Sequence, residues 1–426
     1  MIIKLFVIKR NIFFTCVALC IFSVCVLNKK ISSNSLHLKM NVEIEATGWP
    51  HNSSKSILDY MKFDKNSTLI IPKNFCTADQ KLLTMFVITA PERFIQRQTI
   101  RDSWGDLDNF NYDKFKHLHA KAHGKYLEIN TENWKNYIYN KDDLTENTPF
   151  DAKFRIQLVF LMGHSRDPDV NILVKQESNQ FEDILMEDFT DHYANMTLKS
   201  VAMLKWGTAI CKKNSKFIAK IDDDEFVNLP NLIHVLLGGT LPLYADLKYF
   251  YDYNTIKIME DKNRSPDRNL LTGYKWNFGF PIRDPNDKYY TPHYLYNERW
   301  FPSYLGGFIY VMSSDVASKL FEGVFSVPLF HLEDIYITGL IANHKNIVTR
   351  KNHLIAFKPV NNLCMIKGLV SEQGRHVQQR GHLMKYLFSP EAKDCELLDT
   401  SYAKYLYKFL FMFEPWLSLI REFMYV

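Results

Sequence analysis

Residues Leu82 to Thr89 read Leu-Leu-Thr-Met-Phe-Val-Ile-Thr, with no charge and no alternation of polar with apolar positions. A strand open to water on one face alternates, so this run predicts a strand buried on both faces, in a sheet covered by helices. Pro91 stops the run, and Glu92 to Trp104 reads as a helix with Pro and Glu in its first turn. The pattern then recurs. Phe154 to Met162 is a second apolar run, Pro168 to Gln180 suits a helix and Phe181 to Met186 a short strand. Leu198 to Cys211 suits another helix, and Lys216 to Ile221 is a strand. Strands alternating with helices predict an α/β fold with a mostly parallel central sheet, whose ligands bind beyond the carboxyl ends of the strands.

Composition narrows the function classes. With 46% hydrophobic and 23% charged residues, the chain is neither disordered, nor a coiled coil, nor a multi-span membrane protein. The net charge of +5 is spread along the sequence and no basic run exceeds two residues, which argues against a nucleic-acid partner.

Asn11 to Leu27 carries no charge and follows Lys4, Lys9 and Arg10. As a helix it spans roughly 25 Å, just short of the ~30 Å hydrocarbon core, with flanking Lys and Arg able to snorkel. The expectation is an uncleaved signal anchor; a signal peptide cut near Ser23-Val24-Cys25 is the alternative. Either form sends the remainder into the secretory lumen. Asn52, Asn66 and Asn195 head glycosylation sequons. Cys76, Cys211, Cys364 and Cys395 lie beyond the apolar segment and allow two disulfides by three pairings, or remain buried thiols.

The domain reading is therefore a cytoplasmic tail (1–10), an anchor (11–27), a polar lumenal stem (28–75), an α/β domain (76–395) and an aromatic extension (396–426). Tyr402 to Val426 is broken by Lys408, Glu414, Pro415 and Arg421, so it is no clean span. It reads as a packed helix rather than a membrane-surface contact. About 49 residues, Gly105 to Lys153, form a polar insertion, and a loop that long is usually functional or mobile.

The sharpest feature is Asp222-Asp223-Asp224, delivered by the strand Lys216 to Ile221 and followed by Glu225. In an extended chain Asp222 and Asp224 share one face, a pair that suits a hard divalent cation with positions left for phosphate and water. Phe226 and Val227 exclude an EF-hand loop. A solvated acidic turn is the plain alternative.

Four ordered blocks carry a resemblance. Arg97 to Trp104 (RQTIRDSW) is similar to R-x-x-I-R-x-T-W, and Phe181 to Ser200 to D-I-I-x-x-D-F-x-D-S-Y-x-N-L-T-L-K-T. Lys220 to Asn228 (KIDDDEFVN) matches K-x-D-D-D-x-F-V-N. Phe301 to Ser313 and Glu333 to Gly339 resemble Y-P-x-Y-x-x-G-x-G-Y-V-x-S and E-D-V-Y-x-G. Together they resemble the β-1,3-glycosyltransferase (galactosyltransferase) family of type II Golgi enzymes, glycosyltransferase family 31, over about residues 76 to 395.

The resemblance implies a GT-A nucleotide-sugar domain that inverts the anomeric carbon, in a single-pass type II protein of the Golgi membrane. It implies Mn²⁺ and a UDP-sugar donor as cofactor and co-substrate, and a glycoprotein or glycolipid glycan as acceptor. Asp222 and Asp224 would hold the metal against the diphosphate, with Asp223 beside them, and Asp334 would be the general base supported by Glu333. Arg97 and Arg101 would serve the nucleotide, or else salt-bridge one helix face to the fold. His376 would complete the metal shell, or else be a surface residue. Phe308-Ile309 replaces the family's second glycine, which would narrow the acceptor side. Two rivals stay open: an inactive relative acting as a glycan-binding or chaperone-like lumenal protein, and a carboxylate-pair glycoside hydrolase.

Overall fold

The computed structural model describes residues 44–77, 79–129, 131–138, 153–211, 214–251, 269–360, 362–388 and 395–399. The chain divides into Met1–Glu45 and one compact unit, Ala46–Val426, and it is the latter whose architecture follows. The expected tail and anchor (1–27) and the aromatic stretch 402–426 lie outside the described residues. Among those described, no helix is long and apolar enough to cross a membrane.

The first half of the unit runs β1 (Thr68–Ile70), β2 (Lys81–Ile88), α1 (Phe94–Arg101), α2 (Asp113–Leu118), β3 (Ile156–His164), α3 (Pro168–Phe181) and β4 (Ile184–Thr190). It continues as α4 (Met196–Leu204), β5 (Ser215–Asp222), β6 (Glu225–Val227), α5 (Leu229–Leu236), β7 (Leu271–Trp276) and β8 (Tyr304–Ser313). The last elements are α6 (Ser314–Val324), β9 (Arg350–Lys351), β10 (Ile355–Ala356), α7 (Leu363–Gly368), β11 (Ser371–Gln373) and α8 (Val377–Leu387). Local chemistry sets the boundaries. Asp167 caps α3 by accepting from the Asp169 amide, Pro168 opens the helix, and Glu182 closes it in the left-handed region at φ 53°.

Eight strands form one sheet in the order β1-β4-β3-β2-β5-β8-β7-β9. Strands β4, β3, β2 and β5 are mutually parallel, whereas β1 and β8 run antiparallel to their neighbours. The expected α/β architecture with a mostly parallel sheet is present. Successive β2 residues feed opposite cores: Met85 and Val87 join one apolar cluster, Phe86 and Ile88 the other. That double burial is why the run lacks alternation. From β2 the chain goes outward to β3 and β4, then returns to pair on the other side of β2 as β5. The carboxyl ends of β2 and β5 therefore flank a topological switch point, where open α/β sheets bind ligands.

Two expectations need correction. Residues from Ala46 onward are not a stem. Trp49, Ile57, Met61 and Phe75 are buried in the core and β1 pairs with β4. Their apolar residues stand singly along a polar stretch, so no periodicity reveals them. The insertion is likewise not a loose loop where it is described. Phe110, Tyr112, Phe115, Leu118, Trp134 and Ile138 are all buried in the core. Of the three possible cysteine pairings, the fold uses Cys76–Cys211 and Cys364–Cys395.

Candidate active site

A cleft of about 590 Å³ opens at the switch point, reached by the ends of β2 and β5 and by the segments around Gly307 and Asp334. Asp222 ends β5, and Asp223 and Asp224 form the turn into β6, which is anchored by antiparallel pairing with β11. The turn is pinned at its centre. Asp223 accepts from the Thr89 hydroxyl and from Arg93, each at 2.6 Å, and its amide donates to the Ile88 carbonyl at 3.2 Å. The buried Arg380 guanidinium donates to its carbonyl. Asp223 thus holds the turn in shape.

Lys220, fully buried on β5, donates to Asp222 Oδ1 at 2.6 Å, lies 3.0 Å from Glu333 Oε1 and donates to the Gly307 carbonyl. Glu333 also accepts from Ser200 (2.8 Å) and Tyr310 (3.3 Å) through Oε2. One buried cation therefore links the acidic turn to the Glu333-Asp334 pair, more than 100 positions later. Gly307 makes that approach possible, since a Cβ there would lie 2.7 Å from Glu333 Oε1 and 3.4 Å from Asp334 Cβ.

Asp334 precedes a π-helical turn, Ile335–Ile341, and its Oδ1 accepts from the Ile335 amide at 2.8 Å. Burial, reinforced by Glu333, pushes its pKa up to about 7. Asp222 is also raised to about 7 by burial and the charge of Asp224, against the opposing pull of Lys220. Asp224 Oδ1 is buried without a hydrogen-bond partner, as are both carboxylate oxygens of Glu225. Burial pushes Glu225 well above the usual carboxylate range. Asp224 with its orphaned Oδ1, next to Asp222 whose Oδ1 alone is held by Lys220, fits a hard divalent cation whose remaining positions go to phosphate and water. Among the described residues, no group of three His, Cys, Asp or Glu side chains is arranged to hold a metal on its own.

The fold brings Asp222, Asp223, Asp224 and Asp334 into one cleft. It does not bring Arg97 or Arg101 there, which corrects the nucleotide role expected of them. Arg97 is fully buried, doubly bonded to Glu177 and donating to the carbonyls of Ala90 and Pro91 (2.7 and 3.0 Å). Arg101 pairs with Glu177 and Asp183. Both fasten α1 to Glu177 of α3, and Arg97 alone also braces the turn after β2. His376 is corrected too: it is exposed ahead of α8 and does not line the cleft. Ile309, which stands where the pattern has its second glycine, is fully buried in β8 and does not line the cleft, whereas Phe308 beside it lines the cleft and packs against Tyr274 and Phe357.

Sequence reasoning missed several residues. Lys220 and Lys199 stood inside the matched blocks and were legible as buried cations only once their carboxylates were located. Lys199 lies 2.8 Å from Asp191 and donates to the Thr89 carbonyl at 2.7 Å. Arg93 and Arg380 carried no signal. The sequons also differ in setting. Asn52 and Asn66 are exposed, whereas the Asn195 amide donates to the Thr190 carbonyl at 2.8 Å and its sequon Thr197 is buried.

A family model described as galactosyltransferase matches residues 140–249 and 246–353. The chain is similar to beta-1,3-galactosyltransferase 1 of Mus musculus and of Homo sapiens, with 31% identity over 269 residues, 63% of this chain and 62% of each relative. It thus spans less than two thirds of those relatives' length. It is also similar to lactosylceramide 1,3-N-acetyl-beta-D-glucosaminyltransferase of Rattus norvegicus, 26% identical over 336 residues, covering 76% of this chain and 71% of the relative. The matched region spans β3 to β9 and contains the acidic turn, Lys220, Gly307 and Asp334. The chain belongs to the galactosyltransferase family.

Proposed function

We propose that this protein transfers a hexose or N-acetylhexosamine from a UDP-sugar to a hydroxyl of a glycoprotein or glycolipid glycan, with inversion, forming a β-1,3 link. One observation carries the reading: Asp222, Asp224 and Asp334 converge in one switch-point cleft of a chain of this family. Mn²⁺ would be held by Asp222 and Asp224, and when bound it offsets the charge that builds on the departing diphosphate.

Asp334 takes the proton of the acceptor hydroxyl as that oxygen attacks the anomeric carbon. A carboxyl poised near 7 is suited to accept a proton at neutral pH without being locked in either state. Lys220 and Gly307 fix Glu333, which in turn sets the position of Asp334. We place the unit on the lumenal side of the Golgi membrane in a single-pass type II protein. The charge-free segment 11–27 and two closed disulfides support that placement.

The test is steady-state transfer with direct UDP titration. Asp334→Asn should lower transfer about 10²- to 10⁴-fold with UDP and Mn²⁺ affinity nearly unchanged. Asp224→Asn should lose UDP binding and transfer together. Retention of more than about a third of turnover by Asp334→Asn removes the base from that position. Metal-dependent UDP binding by the wild type without transfer to any acceptor would favour the inactive glycan-binding relative.

A further inference from the structure

Residues 277–301 run along the mouth of the cleft on an ordered loop. The Phe301 amide donates to the Gly279 carbonyl and the Thr291 amide to that of Ile282, both at 2.8 Å. Arg283 reaches the carbonyls of Thr291 (2.5 Å) and Tyr296 (2.9 Å). Despite this bracing, Phe280, Tyr289 and Trp300 are left 44%, 47% and 46% exposed. Phe280 and Tyr289 also line the cleft, and Trp300 packs edge-on against Phe280 with ring centres 6.2 Å apart.

Large rings held out of the core by an ordered loop, beside a cleft, mark a ligand surface rather than incomplete packing. The loop leads directly into β8, whose Gly307 abuts Asp334, so these rings extend the side of the cleft that holds the base. That is the side from which an acceptor hydroxyl must arrive. A pyranose offers a face of C–H bonds with hydroxyls at its rim, and the electron-rich face of an aromatic ring is complementary to it.

We propose that Phe280, Tyr289 and Trp300 form an acceptor subsite that stacks the sub-terminal sugar of the glycan. The preferred acceptor is then an oligosaccharide of at least two units, not a monosaccharide. The catalytic half of this inference rests on the transferase reading; the binding half does not.

The experiment uses the full chain and a panel of neutral disaccharides, each matched to the methyl glycoside of its terminal sugar. Binding is read first by saturation-transfer NMR without donor. At least one disaccharide should bind more tightly than its matched monosaccharide. Trp300→Ala and Phe280→Ala should each weaken it about 10-fold, towards the monosaccharide level. With donor present, the acceptor KM should move by the same factor while the KM for the UDP-sugar does not. If the disaccharide preference and its loss persist but no transfer occurs, the subsite stands and the enzymatic reading fails. Absence of any disaccharide preference, or equal weakening of both partners of a pair, overturns the subsite. Unchanged glycan binding by variants that no longer sediment with phosphatidylcholine–phosphatidylserine vesicles would overturn it in favour of a membrane contact.

Discussion

Lys220 shows how much of the site depends on one side chain. Burial alone would depress an ammonium, but Asp222 and Glu333 more than reverse this and keep it charged. Lys220→Met would leave two carboxylates facing each other without a counter-ion, and removing one partner of a buried pair costs about 3–5 kcal/mol. Urea unfolding should register that loss. Gly307→Ala acts by crowding: the new methyl must displace Glu333 Oε1, 2.7 Å away, and Asp334 shifts with it. Its kcat should fall while UDP affinity holds, which steady-state kinetics with UDP titration would read. With Asp334 as the proposed base, it should also set the pH profile. Its folded pKa is raised, so the proton-accepting form accumulates only as pH rises through about 7. The kcat/KM for transfer should climb on that limb and level off above it. Asp334→Asn should flatten the limb, and a limb that survives the substitution assigns the titration elsewhere.

At the level of elements, the insertion is fastened to α5 by a buried polar network. His119 bonds Tyr244 at 2.7 Å and Asn231 at 2.8 Å, and Tyr112 bonds His234 while Phe115 stacks on the same ring, centres 3.6 Å apart. Burial lowers the His119 pKa to about 3 from the ordinary 6.5. Below 6.5 the unfolded chain takes up a proton that the folded chain refuses until about 3. The fold should therefore lose about 1.4 kcal/mol per pH unit across that window from this group alone. Denaturant unfolding at pH 7 and pH 5 should show a smaller loss for His119→Gln than for the wild type, by roughly 2 kcal/mol. This network explains what the sequence concealed. Strands β2, β3 and β5 were legible because each buries consecutive residues, and the acidic turn was legible because it follows one of them. The residues of 46–75 and 105–138 that enter the core are spaced singly among Asn, Lys and Asp. Arg97 and Arg101 were ambiguous for a related reason: guanidinium suits phosphate and buried carboxylate alike, and only the location of Glu177 and Asp183 decides between them.

At the scale of the whole molecule, the two disulfides among the described residues close loops of very different length. Cys76 precedes β2 and Cys211 precedes β5, so their bond ties together the approaches to the two strands that carry the cleft, across 135 residues. Cys364 in α7 is bonded to Cys395, 31 residues away, and secures the segment whose Leu398 amide donates to the Leu243 carbonyl at 2.8 Å. If each bond acts by restricting the unfolded chain, loop-closure entropy makes the long one worth about 5 kcal/mol and the short one about 3.7 kcal/mol. The long bond also spans β2, β3 and β4, so its loss should lower the stability of the sheet and the cleft together. A Cys76→Ser, Cys211→Ser double variant should therefore unfold at lower urea than a Cys364→Ser, Cys395→Ser double variant, by about 1 kcal/mol. UDP binding measured below each transition separates stability from site geometry: with the fold intact, both variants should bind as the wild type does. The reverse order of stability would mean that the Cys364–Cys395 bond holds native packing beyond its entropy. The segment around Leu398 would then count as an integral wall of the fold.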